Sequence, residues 1–125
     1  METVSIEVQS EAIKSFQSTI SKYETALAQM TQKGSNTALL NKRLNALKIG
    51  LAVLENAWLQ KPHYYTPESL ADARQVLNDL LPTIEHSYAK SKLGSPQRTL
   101  LERRIKSLKF ALEALDDFLI KDESN

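Results

Sequence analysis

The side chains from which chemistry is usually built are scarce in this chain. It has two histidines and no cysteine among 125 residues. His86 falls in a helical stretch, but Thr83 stands three positions before it. The Glu-x-x-His pair that carboxylate-bridged metals use in helical bundles is therefore missing. His63 lies in a connecting segment, "QKPHYYTPES" (60–69). Neither histidine has a serine or aspartate placed for nucleophilic catalysis, and thiol chemistry is excluded outright. The three glycines are scattered singly, so no phosphate-cradling loop is present. The expectation is a protein that is not an enzyme and carries no metal or cofactor. An enzyme with a site of unfamiliar pattern is the third of three readings weighed.

Charge at core-leaning positions is the feature that remains. Arg43 lies in "LNKRLNALKIGLAVLENAWL" (40–59) and Arg104 in "LERRIKSLKFALEALDDFLI" (101–120). The two segments superimpose without a gap at an offset of 61 positions, Leu40 on Leu101 and Arg43 on Arg104. At about 100° per residue, each arginine sits between two apolar stripes. The main stripe is Leu40, Leu44, Leu47, Leu51 and Leu54 in one copy, and Leu101, Ile105, Leu108, Leu112 and Leu115 in the other. The second is Leu39, Ala46, Gly50, Val53 and Ala57, matched by Leu100, Ser107, Ala111, Ala114 and Phe118. A guanidinium so placed needs a carboxylate, because a stranded buried charge is strongly destabilising. In an antiparallel hairpin the numbers of facing residues have a constant sum set by the turn. That rule pairs Glu85 with Arg104 and brings Glu24 within one helical turn of Arg43. Two structural ion pairs, Glu24–Arg43 and Glu85–Arg104, are predicted as devices that fix register. A charged ligand pocket along the bundle is the functional alternative.

The elements that must position these residues follow from spacing. Ile13, Phe16, Ile20, Tyr23, Leu27 and Met30 step by three and four, as do the stripes above. The repeat reaches into the preceding helices too, since Phe16, Ile20, Tyr23, Glu24 and Leu27 meet Leu77, Leu81, Ile84, Glu85 and Tyr88. "QKGSN" (32–36) and "KLGSPQ" (92–97) each place a glycine suited to ending a helix before a serine suited to capping the next. Pro96 fits the first helical position. Thr66 caps another start, with Pro67 at its first position and Tyr65 packing on Leu70 as a staple. The predicted fold is all-α: an antiparallel up-down four-helix bundle built from two repeated helical hairpins, about 6–60 and 66–120, in one domain spanning 1–125. Pro82 falls on the solvent side of its helix, which should bend there and not break. Residues 1–4 and 121–125 carry little to bury and should be loosely ordered.

Bulk properties narrow the function. Net charge is +1, with 42% hydrophobic and 25% charged residues, ordinary values for a globular domain. That balance argues against nucleic acid or an acidic membrane as partner. The basic pairs in "NKRLNALK" and "LERRIKSLK" are offset by Glu113, Asp116, Asp117 and Asp122. No apolar run approaches the ~20 residues of a membrane span, and the N-terminus lacks signal-peptide features, so a cytoplasmic protein is expected.

The leading reading is a non-catalytic protein–protein interaction module, a regulatory or immunity-type adaptor. In outline it resembles small bacterial helical bundles such as bacteriocin immunity proteins, in shape and not in any residue. Ile49 and Phe110 occupy matching positions about 180° from the main stripe, where a four-helix bundle meets water. Val53 flanks the first and Ala114 the second, and Lys42 and Arg103 border the two patches. On diagonal helices these patches should lie on opposite sides, each open to a protein partner or a second copy of the chain. The alternative is a small ligand or peptide bound at the inter-hairpin end around Trp58, His63 and Tyr64, with Tyr64 the exposed member of its tyrosine pair.

Overall fold

The computed structural model describes residues 3–124, with side chains to Lys121. Four helices make up almost all of it: α1 Ile6–Gln32, α2 Ala38–Leu59, α3 Pro67–Lys90 and α4 Pro96–Ser124. The expectation of loose ends lies outside the described residues at 1, 2 and 125. Within them, residues 3–5 precede the first helix and α4 continues to Ser124.

Local chemistry sets the boundaries. Ser5 opens α1 by accepting a hydrogen bond from the Val8 N–H. Thr66 opens α3 by accepting from the Ser69 N–H at 3.1 Å, and Pro67 takes the first helical position as expected. Ser95 does the same for α4 through the Arg98 N–H at 3.1 Å, with Pro96 following it. Gly34 and Gly94 adopt left-handed φ values of +71° and +78°, the conformation that ends a helix at lowest cost. The first turn departs from expectation at one point. Thr37, not Ser35, holds the cap position of α2, its hydroxyl accepting from the Asn41 side chain and not from a backbone N–H, while the Asn36 side chain accepts from the Ala38 N–H. α3 runs unbroken through Pro82, which is exposed.

The packing is rhombic. α2 and α4 approach each other across the bundle, and each also packs on both α1 and α3. No Cα of α1 comes within 8 Å of a Cα of α3 among the described residues. Arg74 near the start of α3 is paired with Asp116 near the end of α4, and Arg98 near the start of α4 bonds the Tyr88 carbonyl near the end of α3, so these two helices run antiparallel.

This arrangement corrects the predicted partner surface. Ile49 is only 2% exposed, and Val53, Ala46, Ala111 and Ala114 are buried with it. Phe110 is half-buried, its ring edge-on to Trp58 with centroids 5.4 Å apart. In a square bundle the diagonal helices do not touch, and the arc opposite the main stripe faces water. Here α2 and α4 come close, and the middle of the second stripe is mostly small, with Ala46, Gly50, Ser107, Ala111 and Ala114 all buried. Gly50 shows how tight the fit is. A Cβ at that position would lie 3.1 Å from Leu77 Cδ1 and 3.3 Å from Phe16 Cε1. Its bare backbone lets large side chains from α1 and α3 meet over α2.

Candidate binding sites

Neither predicted ion pair forms. Glu24 and Glu85 are exposed, and among the described residues no carboxylate partners Arg43 or Arg104. The facing rule found the right level along the helices but the wrong side. One residue turns a helix by about 100°, and the inward positions at that level are held by Tyr23 and Ile84. Arg104 is nonetheless buried, at 7% exposure, and its Nε has no hydrogen-bond partner. Burial holds its guanidinium below the ordinary arginine value, with nearby Tyr23 opposing that shift.

Arg104 lines a cavity of about 350 Å³ to which all four helices contribute. It lies toward the end of the bundle that carries the two glycine turns. The walls are Thr19, Lys22, Tyr23 and Ala26 from α1, Leu40 and Arg43 from α2, Leu80, Thr83, Ile84 and Ser87 from α3, and Gln97, Leu101 and Arg104 from α4. Twelve of these thirteen residues fall into six pairs at the offset of the sequence repeat, such as Tyr23 with Ile84 and Arg43 with Arg104. The cavity therefore straddles an approximate twofold axis relating the hairpins. Three cations line it and no aspartate or glutamate does. A neighbouring groove of about 390 Å³ between α2 and α3 is different, because there Lys42 shares the lining with Asp72 and Asp79.

The opposite end, around the α2–α3 connection, is aromatic. Beside the Trp58–Phe110 contact, the His63 ring lies 5.1 Å edge-on from Phe118 and 5.8 Å from Tyr65. The Tyr65 N–H donates to His63 Nδ1 at 3.3 Å, which holds the connection in shape. A shallow cleft of about 340 Å³ is lined by His63, Tyr65, Pro67, Leu70, Phe118, Leu119 and Lys121. Tyr65 and Leu70 share that cleft, the two positions expected to staple the start of α3. Trp58 and Tyr64, the residues around which sequence reasoning placed a ligand, do not line it. Tyr64 is 93% exposed against 39% for Tyr65, in the order expected. Between α1 and the end of α2, Ile6, Ile13 and Leu59 line a separate groove together with Gln9, Ser10, Lys14 and Gln17.

The charges expected to rim a partner surface are placed otherwise. Arg103 is exposed and pairs with Glu11 of α1 at 3.1 Å, and Lys42 belongs to the α2–α3 groove. Among the described residues no group of three or more metal-ligating side chains comes together, and no helix is long and apolar enough to cross a membrane. No family model, curated protein or solved structure matches the chain.

Proposed function

We propose that the protein is a non-catalytic binding module that recognises another protein or a peptide with the end of the bundle carrying the α2–α3 connection. The observation that carries this reading is the distribution of exposed large apolar side chains. Ile6, Val8, Leu59, Tyr64 and Tyr65 are all exposed at this end, against Leu39 and Leu93 at the other. Single exposed apolar residues mean little, but a group of them on adjoining elements is characteristic of interaction surfaces. Tyrosine suits such a surface because its ring gives a rigid apolar body and its hydroxyl a polar tip. The surface differs from the one the sequence suggested, because the Ile49 and Phe110 faces are used up in the core.

The test is the double variant Leu59→Glu/Tyr64→Glu. Both side chains are exposed, so stability should change by no more than about 0.5 kcal/mol. Affinity capture from the source cell lysate is expected to retain a partner on the wild-type chain and to lose it on the variant. Equal capture by the two proteins, or none by either, would overturn the reading.

A further inference from the structure

We propose that the four-helix cavity near the glycine turns is a binding site for a small organic oxyanion, a carboxylate or phosphate monoester with an apolar body, gripped by Arg104 and Arg43. The first argument is an orphaned donor. Buried polar groups in folded proteins nearly always have a partner, and the Arg104 guanidinium, which lines the cavity with its Nε enclosed, has none among the described residues. The protein could have supplied a carboxylate from α1 or α3, where Glu24 and Glu85 are one position away from facing the arginines. It supplies Tyr23 and Ile84 instead.

The second argument is convergence. The approximate twofold brings one arginine from each hairpin to a single cavity, with Lys22 beside them and no acidic residue in the walls. An anion placed among three cations gains Coulomb energy from each of them. Guanidinium groups present paired N–H donors that match the two oxygens of a carboxylate or phosphate. Tyr23 and Gln97, which also line the cavity, add neutral hydrogen-bonding groups.

The third argument concerns size and lining. At about 350 Å³ the cavity falls within the range of small-molecule sites, roughly 300–1,000 Å³, and exceeds the needs of a bare ion. Leu40, Leu80 and Leu101 form hydrocarbon wall on which an apolar body can rest. The α2–α3 groove is the internal contrast, because its lysine already shares a lining with two aspartates and calls for no outside anion.

The probes are phenyl phosphate, phenylacetate and inorganic phosphate, titrated into the full chain while the Arg104 Nε–H resonance is followed by NMR. One or both organic anions should shift that resonance and bind at least about tenfold more tightly than inorganic phosphate. The stronger of the two identifies the head group. Arg104→Met should weaken binding by about tenfold or more, and Arg43→Met, at a half-buried position, gives the same reading if the first variant fails to fold. Lys22→Met, at an exposed position, should weaken binding by a few-fold and reduce its salt dependence. No shift of the Nε–H resonance at about 10 mM of either organic anion would overturn the proposal. So would affinity unchanged in both arginine variants, or organic anions that bind no better than inorganic phosphate.

Discussion

The second helix of each hairpin lies inside the bundle and the first lies outside, although all four follow the same three-and-four spacing. α1 and α3 present one apolar stripe and leave the rest of their surface to water, which is why α3 accommodates Pro82. α2 and α4 present two stripes, one of large aliphatics and one of smaller residues, and are covered on both. The difference teaches that the width of the apolar arc, more than the strength of any one stripe, marks a helix as central. It also shows what small residues do in such a helix. Ala111 and Ala114 fill little space themselves and are buried in α4, while Gly50 leaves room for Phe16 and Leu77 to meet over α2.

The sharpest way to break this comparison is to place a charge on the inner arc. Ile49→Glu buries an unpaired carboxylate, and the loss should reach several kcal/mol, a large part of the roughly 5–15 kcal/mol typical of a domain. Its exposed neighbour Lys48→Glu should stay within about 0.5 kcal/mol. Urea denaturation followed by circular dichroism would compare them, and equal stabilities would mean that this arc of α2 faces solvent. A smaller effect is expected for Phe110→Ala. The ring is only half-buried, so a loss of about 2–4 kcal/mol is expected, toward the lower part of the usual range for removing a core aromatic. Trp58 gives an independent signal: loss of the edge contact should move its fluorescence to longer wavelength in the folded state. The outer helices provide the smallest change, and it has the opposite sign. Pro82→Ala restores an N–H that can bond the Asn78 carbonyl in a helix that is already continuous. The helical penalty of proline, about 3 kcal/mol, is partly offset by its stiffening of the unfolded chain, leaving a net gain of about 2 kcal/mol. A loss measured by the same denaturation would show that α3 needs the proline bend to wrap the inner pair.

Much of this was legible in the sequence because it is local. Helix spacing, the caps at Thr66 and Ser95, the prolines that follow them, and the glycine turns each depend on a few neighbouring residues. The rhombic cross-section depends on contacts between α2 and α4, which no short window contains. Its only trace was the second stripe, two of whose residues, Val53 and Ala114, were expected beside an outer patch and are buried. The ion pairs failed for a different reason. Matching levels along a hairpin fixes height but not azimuth, and a single position of error carried Glu24 and Glu85 to the surface. The arginines repeated at equivalent positions in both hairpins do line one cavity.

The cavity's position on an approximate twofold axis has a consequence for orientation. A perfectly symmetric chamber would offer any occupant two equivalent seats related by a half-turn. The paired wall residues break that degeneracy, because the two hairpins do not put the same groups in equivalent places. Thr19 stands where the other hairpin has Leu80, Lys22 where it has Thr83, and Tyr23 where it has Ile84. The α1 wall thus carries the lysine and the phenol, and the α3 wall the two large aliphatics, with only the Ala26 and Ser87 pair running the other way. A molecule with one polar and one apolar flank would be admitted in a single pose, so divergence between the repeats turns a symmetric hollow into a handed one.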